Sequence, residues 1–307
     1  MKKSLIVLAV SGVMLAPMVA QADATLYGEA QFRLTDQKDH DLNAESSTTR
    51  LGVKGTVDND IDGLTTAYQI EWDFNADASS GLEPTASSDV LLRKSLVFLK
   101  GDWGQVTFGR QNNPAEVMDF GMGHKFGQTF SLTPDRYGNA ISYATLNRYG
   151  FELSGGVSMD AGDASEDDVD ASAIALTYGA YGVGVALAYY DVADEFDITG
   201  GKLTYTTGDL TVGANYQEKD FEDATTDDVE VFTVGGKYTF GKTAVYAEYQ
   251  DIDEANGSAN DNDNTLVGVS YNLGSQAQVA VDYASFDKDT GTNANSDALT
   301  LEYTINF

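Results

Sequence analysis

The sequence predicts an all-β fold, an antiparallel transmembrane β-barrel, and three observations predict it. Segments of about ten residues alternate between apolar and polar side chains, which is typical of strands with one apolar face. The connections between these segments alternate between short and long. Beyond the amino terminus, no segment reaches about eighteen consecutive apolar residues, so the sequence predicts no transmembrane helix.

The segment 299–307 shows the alternation most clearly. Its odd positions, from Leu299 to Phe307, are apolar, and its even positions, from Thr300 to Asn306, are polar. Because successive side chains of a strand point to opposite faces, this segment has one apolar face and one polar face. The sequence offers no helices to cover the apolar face, so lipid is predicted to cover it.

The same alternation predicts sixteen strands, which define one barrel domain over 23–307. They lie near 24–35, 48–57, 64–75, 90–101, 104–111, 137–146, 149–159, 171–179, 182–192, 198–207, 209–218, 229–240, 242–251, 264–273, 276–286 and 297–307. The barrel must close, because an open sheet edge in lipid leaves backbone groups unpaired. Sixteen strands make a barrel too wide for side chains to fill, so the lumen is predicted to hold water.

The connections sort by side. One set consists of short turns, and the other of longer loops near 36–47, 76–89, 112–136, 160–170, 193–197, 219–228, 252–263 and 287–296. Short periplasmic turns opposite long extracellular loops are typical of barrels in an outer membrane. An even number of strands then places both termini on the periplasmic side.

The amino terminus predicts export. Residues 1–22 combine two lysines, a short apolar run and a small-x-small site, which together indicate a cleaved secretory signal peptide. The alternative, a membrane-anchoring helix, is disfavoured because the run is short and no stop-transfer pattern follows it.

Composition and motifs exclude several classes of function. A net charge of −30 argues against nucleic acid as a partner, and the absence of cysteine excludes disulfides and thiolate chemistry. The segment 58–63 resembles half of a calcium-binding loop, but Gln69 stands where the last ligand is expected, so a plain turn is favoured. His40 and His124 have no marked nucleophile beside them. The chain is therefore predicted to be no enzyme and to bind no metal and no cofactor.

Basic residues concentrate in the first six strands, and several lie at lumen-facing positions. The candidates are Arg33, Arg50, Lys54, Arg93 and Arg136. Scattered, solvated surface charge is the alternative interpretation. Clustering on adjacent strands favours a basic wall inside the barrel.

The connection 112–136 is much longer than a hairpin loop usually is, which indicates a function. Asn113, a proline and Glu116 predict a short helix that ends near Gly121 and carries Glu116 and Asp119 on one face. If this third loop folds into the barrel, its two carboxylates oppose the arginines. The resulting transverse field would screen solutes by size and charge. Folding outward is the alternative.

These features together resemble the general-diffusion porins of Gram-negative outer membranes, over the whole mature region. The matching segments are 26–28, 50–55, 93–101, 108–111, 119–121 and 136–143, with Phe307 at the end. The resemblance implies a trimer of sixteen-stranded barrels with the third loop folded into each pore. It also implies that Tyr303 and Phe307 form the signal for the outer-membrane assembly machinery.

The resemblance also assigns residues to the pore. Arg50, Arg93 and Arg136 match the basic row of the family's constriction, Asp119 matches an acidic residue of the third loop, and Glu116 is assigned to the same acidic side. Glu29 stands where the family often has lysine, which makes the lumen more acidic and favours cations.

Two basic residues, Lys94 and Arg110, stand at strand positions whose side chains are expected to point away from the lumen. Lys94 falls with Leu92, Leu96 and Phe98, and Arg110 falls with Val106 and Phe108, so both are expected to face outward. A base facing lipid costs a few kcal/mol. Since the family's trimer interface involves these early strands, the two bases are expected at a subunit interface, with Glu83 pairing with Arg110 of the adjacent subunit.

The sequence therefore predicts a passive outer-membrane channel with a preference for cations. Its expected partners are copies of itself, outer-membrane lipid and lipopolysaccharide, and small hydrophilic solutes and ions. The alternatives are a sugar-selective channel of the same fold and a surface adhesin or phage receptor that uses the acidic loops. Only Tyr27, Tyr190 and Tyr246 are inward-facing aromatics that a sugar could stack on.

Overall fold

The structure, a computed structural model, describes residues 24–74, 90–122, 131–159, 168–223, 226, 228–254, 262–288 and 296–307. The signal peptide expected at 1–22 lies outside these residues. The described strands are β1 (Thr25–Gln37), β2 (Asn43–Val57), β3 (Thr65–Phe74), β4 (Val90–Gly101), β5 (Gly104–Asn112), β6 (Arg136–Ala144), β7 (Phe151–Ser158), β8 (Ala171–Ala180), β9 (Val183–Val192), β10 (Phe196–Thr207), β11 (Leu210–Phe221), β12 (Val229–Phe240), β13 (Thr243–Glu254), β14 (Asn262–Asn272), β15 (Ala277–Lys288) and β16 (Ser296–Asn306). One 3₁₀ helix, Pro114–Met118, follows β5. Within the described ranges, no helix is long and apolar enough to cross a membrane.

The strands form one closed antiparallel barrel, as predicted. Each strand pairs with its neighbours in the chain, and β1 pairs with β16 to close the cylinder. The closure continues to the last residue, because Phe307 and Gly28 exchange backbone hydrogen bonds of 2.9 and 3.1 Å. Closure satisfies the edge groups that lipid could not.

The wall is apolar outside and polar inside. In β16, Leu299 and Leu301 are 50% and 44% exposed, whereas Thr300 and Glu302, which alternate with them, are each 1% exposed. A protein with a conventional core would bury the leucines and expose the glutamate. The inversion indicates that the outer surface contacts lipid and that the polar residues face a hydrated interior.

The predicted sorting of the connections is found, and several of the long loops are shorter than expected. The turns 102–103, 181–182, 208–209 and 241–242 all join strands at one end of the barrel. At the opposite end, β1 and β2 extend into the predicted loop 36–47, and β9 and β10 are joined by 193–195 alone. Strands that extend beyond their predicted bounds account for these differences.

A β-bulge in β4 overturns the predicted facing of that strand. Glu71 of β3 lies opposite Lys94 of β4, but the next residue, Trp72, lies opposite Leu92. Arg93 is therefore an extra residue of β4 that has no residue opposite it on β3. Such an insertion reverses the faces of all the residues beyond it. Lys94, Leu96 and Phe98 therefore lie opposite Glu71, Gln69 and Ala67 on the lumenal face. The prediction that these three residues face lipid is wrong, and the bulge places Lys94 inside the barrel instead of at the predicted subunit interface.

Candidate functional site

The third loop folds into the barrel, as predicted. The Asn113 side chain caps the 3₁₀ helix by accepting a 3.0 Å hydrogen bond from the backbone N–H of Ala115. Ala115 and Met118 are fully buried against the inner wall, in a cluster with Ala173, Ala188, Ile198 and further residues of β8 to β10. Small residues make room for this loop on the wall.

Glycine on the inner wall is required where the loop packs most closely. A Cβ on Gly200 would lie 2.8 Å from the Met118 sulfur, and a Cβ on Gly213 would lie 2.5 Å from the Phe120 ring. Farther along the loop, Phe120 and Met122 pack with Tyr246 and other residues of β13 to β15. The loop thus crosses from β5 to the opposite wall.

Polar side chains of that wall anchor the loop. Lys202 Nζ donates to the Asp119 carbonyl oxygen at 2.6 Å, and Gln217 Nε2 donates to Asp119 Oδ1 at 3.0 Å. At the far end, Glu248 Oε2 accepts a 2.6 Å hydrogen bond from the Met122 N–H. The sequence does not predict these anchors. Their only signal is that polar residues stand at inward positions near Gly200, Gly213 and Gly235.

The opposite side of the lumen carries the bases. Arg50, Arg93, Lys94 and Arg136 line one cavity of about 880 Å³ together with Glu116, Asp119 and Asp135. The structure thus brings together the three arginines and the two loop carboxylates that the sequence singles out.

Each of these arginines is paired with a carboxylate. Arg50 lies 3.3 Å from Glu29 and 3.7 Å from Asp73. Arg93 lies 2.8 Å from Glu71 and 3.2 Å from Asp73. The sequence does not predict Glu71 and Asp73 as site residues, although both stand at lumen-facing positions of β3. Their role depends on the cross-strand register, which alternation alone does not give.

Arg136 pairs with its own neighbour. Its guanidinium lies 3.0 Å from the carboxylate of Asp135, which is half exposed. Asp135 also lines the cavity, so the pair contributes one charge of each sign. The sequence does not predict Asp135 as a site residue.

Two predicted bases lie elsewhere in the lumen. Arg33 Nε is 2.7 Å from Glu302, and its guanidinium also approaches Glu45 at 3.7 Å. Lys54 lies toward the other end of the barrel, with its ammonium 5.1 Å from the centre of the Tyr27 ring. Among the described residues, neither base lines the cavity that holds Arg50.

The loop carboxylates are in a poorly hydrated environment. Burial raises the pKa of Glu116, and the negative charges of Asp135 and Asp119 raise it further. Burial also raises the pKa of Asp119, although hydrogen bonds from Ser131 and Gln217 oppose this shift. Both carboxyls therefore protonate at a higher pH than an exposed carboxyl does.

The residues predicted at a subunit interface do not share one location. Arg110 lies outside on β5, opposite Ser95, and its Nε donates to the Leu92 carbonyl oxygen at 2.9 Å. Lys94 lies inside the barrel, and Glu83 is outside the described residues.

The two residues of the predicted assembly signal, Tyr303 and Phe307, lie on the outer face of the final segment and are 38% and 55% exposed.

A closed cylinder with an apolar exterior, a hydrated interior and a charged narrowing defines a transmembrane channel. The family model described as Gram-negative porin matches residues 6–291. The chain belongs to the Gram-negative porin family, and it forms an outer-membrane channel for diffusion.

Solved structures of outer-membrane proteins share the fold. The trimer form of in-vitro folded OmpT from Vibrio cholerae is 20% identical with a TM-score of 0.72, over 93% of this chain and 99% of that chain. The anion-selective porin from Comamonas acidovorans is 18% identical with a TM-score of 0.72, over 94% and 100%. OmpF of Salmonella typhi, in complex with daunomycin, is 17% identical with a TM-score of 0.73, over 92% and 97%. The comparison with curated proteins finds no match.

Proposed function

We propose that the chain forms a passive, non-enzymatic pore that admits small hydrophilic solutes and prefers cations. In this proposal the cavity between the two walls is the constriction. Arg50, Arg93 and Arg136 form its basic side, and Glu116 and Asp119 form its acidic side. A solute that crosses the gap between them meets a transverse electric field, which selects by charge and orientation.

An excess of carboxylates supports the preference for cations. The bases at the cavity or bonded to its lining residues are Arg50, Arg93, Lys94, Arg136 and Lys202, and the carboxylates there or paired with these arginines are Glu29, Glu71, Asp73, Glu116, Asp119 and Asp135. The wall arginines are largely neutralised by their partners, whereas the loop carboxylates have no arginine partner among the described residues. A passing cation therefore meets net negative charge.

Planar-bilayer recording tests this proposal. Purified protein should give large ohmic current steps, and a KCl gradient should give a reversal potential of the sign set by K⁺. A reversal potential of the opposite sign would overturn the preference for cations. Silence in the bilayer would overturn the channel itself and favour an adhesin.

The preference for cations should depend on pH. Because the pKa values of Glu116 and Asp119 are raised, acidification should remove their charges at a pH above the ordinary carboxyl range of about 4. As the pH falls from 7, the reversal potential in a fixed KCl gradient should therefore begin to move toward zero before the pH reaches the range in which exposed carboxyls protonate. A curve that stays flat until the pH reaches about 4 would contradict the assignment of these two residues.

We also infer a homotrimer. The Vibrio cholerae OmpT to which this chain is similar was solved in a trimer form, and the base on the outer wall at Arg110 makes no ion pair within the described part of the chain. A lipid-facing base costs up to about 2–4 kcal/mol at the bilayer midplane. A neighbouring subunit over β5, with its Glu83 near Arg110, would remove that cost.

Charge reversal tests the Arg110 contact. The variants Arg110→Glu and Glu83→Lys should each lower the temperature at which trimers dissociate on semi-native gels, and the double variant should restore it. Lys242→Glu, in an exposed turn, is the matched control and should leave that temperature unchanged. Dissociation temperatures of both single variants equal to that of the control would exclude the pairing.

A sugar-selective channel is the second candidate, because the lumen holds more aromatic residues than the sequence predicts. The Phe196 ring lies 6.4 Å from Tyr190 and 6.0 Å from Phe221, centre to centre. However, the Lys219 ammonium lies 3.6 Å from the centre of Phe196 and 4.4 Å from that of Phe221. It covers faces on which a sugar would stack, so general diffusion is favoured. Block of the ion current by micromolar oligosaccharide would instead favour the sugar-selective channel over general diffusion.

A further inference from the structure

The bulge in β4 gives the constriction a row of side chains that the strand would otherwise turn to lipid. Lys94, Leu96 and Phe98 all line the cavity. On the neighbouring strand, Thr107 lies directly opposite Phe98 and lines the same cavity. One cation and two apolar side chains therefore follow each other along a single lumenal face.

Lys94 differs from the arginines beside it. Arg50 and Arg93 are each held by two carboxylates, and Arg136 is held by Asp135. Lys94 makes no hydrogen bond or ion pair within the described ranges, and the carboxylates of Glu71 and Glu116 act on its charge only from a longer distance. Its half-buried ammonium can therefore accept an anionic partner without breaking an existing pair.

Leu96 and Phe98 present apolar surface to water inside the pore. Both are partly exposed in the cavity, and Val117 of the third loop lines the same space. Covering such surface with an apolar group of a solute releases water and is favourable. An ion pathway alone does not need these side chains.

We propose that Lys94, Leu96 and Phe98 form a binding subsite for small carboxylates that carry an apolar or aromatic group. Alternate residues of a strand are about 7 Å apart. A carboxylate at Lys94 can therefore place a ring that it carries on a two-carbon chain over Leu96, with Phe98 one position farther. The subsite rests on the proposed function, because it lies in the constriction that every permeating solute crosses.

The subsite gives a pore that prefers cations a selective affinity for one class of anion. Small inorganic anions lack the apolar group and gain only the contact with Lys94. An aromatic acid gains both contacts, so it should occupy the constriction for longer and interrupt the ion current. The dissociation constant of the aromatic acid should be millimolar rather than micromolar, because a permeating solute must be able to leave the site again.

The test uses the purified channel in planar bilayers with 3-phenylpropionate as the probe. Propionate supplies the carboxylate alone, and 3-phenylpropanol supplies the aromatic group alone. We expect 3-phenylpropionate to block the current at a concentration about tenfold lower than either control. Equal block by all three compounds would overturn the subsite.

Variants separate the two halves of the subsite. Lys94→Gln and Phe98→Ser should each raise the half-blocking concentration of 3-phenylpropionate about tenfold. Lys100→Gln is the matched control, because Lys100 lies at the same parity of β4 but does not line the cavity. Ohmic steps from each variant show that it has folded and inserted. If Lys94→Gln and Lys100→Gln behave alike while conducting normally, the subsite is excluded and the channel stands. If the wild-type protein gives no steps, the proposed function fails.

Discussion

Replacing both loop carboxylates, as Glu116→Gln with Asp119→Asn, should reduce the preference for cations by roughly fivefold. A unit charge about 8 Å from a passing ion contributes roughly 0.5 kcal/mol in water, so two charges contribute about 1 kcal/mol. The reversal potential in a KCl gradient measures the change. The amide side chains keep the size of the originals, and Asn at position 119 can still accept a hydrogen bond from Ser131.

A matched control removes the same total charge elsewhere. Asp102→Asn with Asp209→Asn changes two carboxylates in exposed turns, neither of which lines the cavity. This control should conduct with the selectivity of the wild type. If the loop variant and the turn variant shift the reversal potential equally, selectivity depends on the overall charge of the protein, and the two loop residues do not belong to the filter.

An arginine on the outer wall should destabilise the barrel according to its depth. Leu301 is 44% exposed and lies between the levels of Tyr283 and Tyr303, the aromatic residues on either side of it. Leu301→Arg should therefore lower the free energy of unfolding by about 2–4 kcal/mol, the cost of a base near the bilayer midplane. Reversible denaturant unfolding of the protein in lipid vesicles measures this value.

Leu273→Arg is the depth control for that experiment. Leu273 is 49% exposed, like Leu301, but it follows β14 at a short turn. Near the interface the same change should cost only about 0–1 kcal/mol. Equal losses in the two variants would mean that lipid does not surround the barrel at the level of Leu301.

The fold is predictable from the sequence because two physical constraints repeat sixteen times. Each crossing must be about ten residues long, and each must alternate between lipid and water. Segments such as 299–307 satisfy both constraints locally, without information from any other part of the chain. The third loop is predictable in outline for a similar reason, because Asn113 and Pro114 carry their own signal for a helix start.

The interior is less predictable because it depends on register. One extra residue, Arg93, reverses the faces of Lys94, Leu96 and Phe98, and nothing in the alternation of that strand marks the insertion. The pairing of Arg93 with Glu71 joins positions on different strands. The anchors of the third loop, such as Lys202 and Glu248, are more distant still in sequence. Such contacts become visible only when the cylinder is closed.

The third loop is attached to the barrel wall at two points, and this has a mechanical consequence. Near its start, the Asn113 N–H is bonded to the Asp135 carbonyl oxygen at 2.9 Å beside β6, and farther on Met122 is bonded to Glu248 of β13. These two points lie on opposite walls of the barrel, so the segment 113–122 spans the lumen from one wall to the other. We expect this link to hold the two walls at a fixed separation, so the segment that narrows the passage should also stabilise the open cross-section.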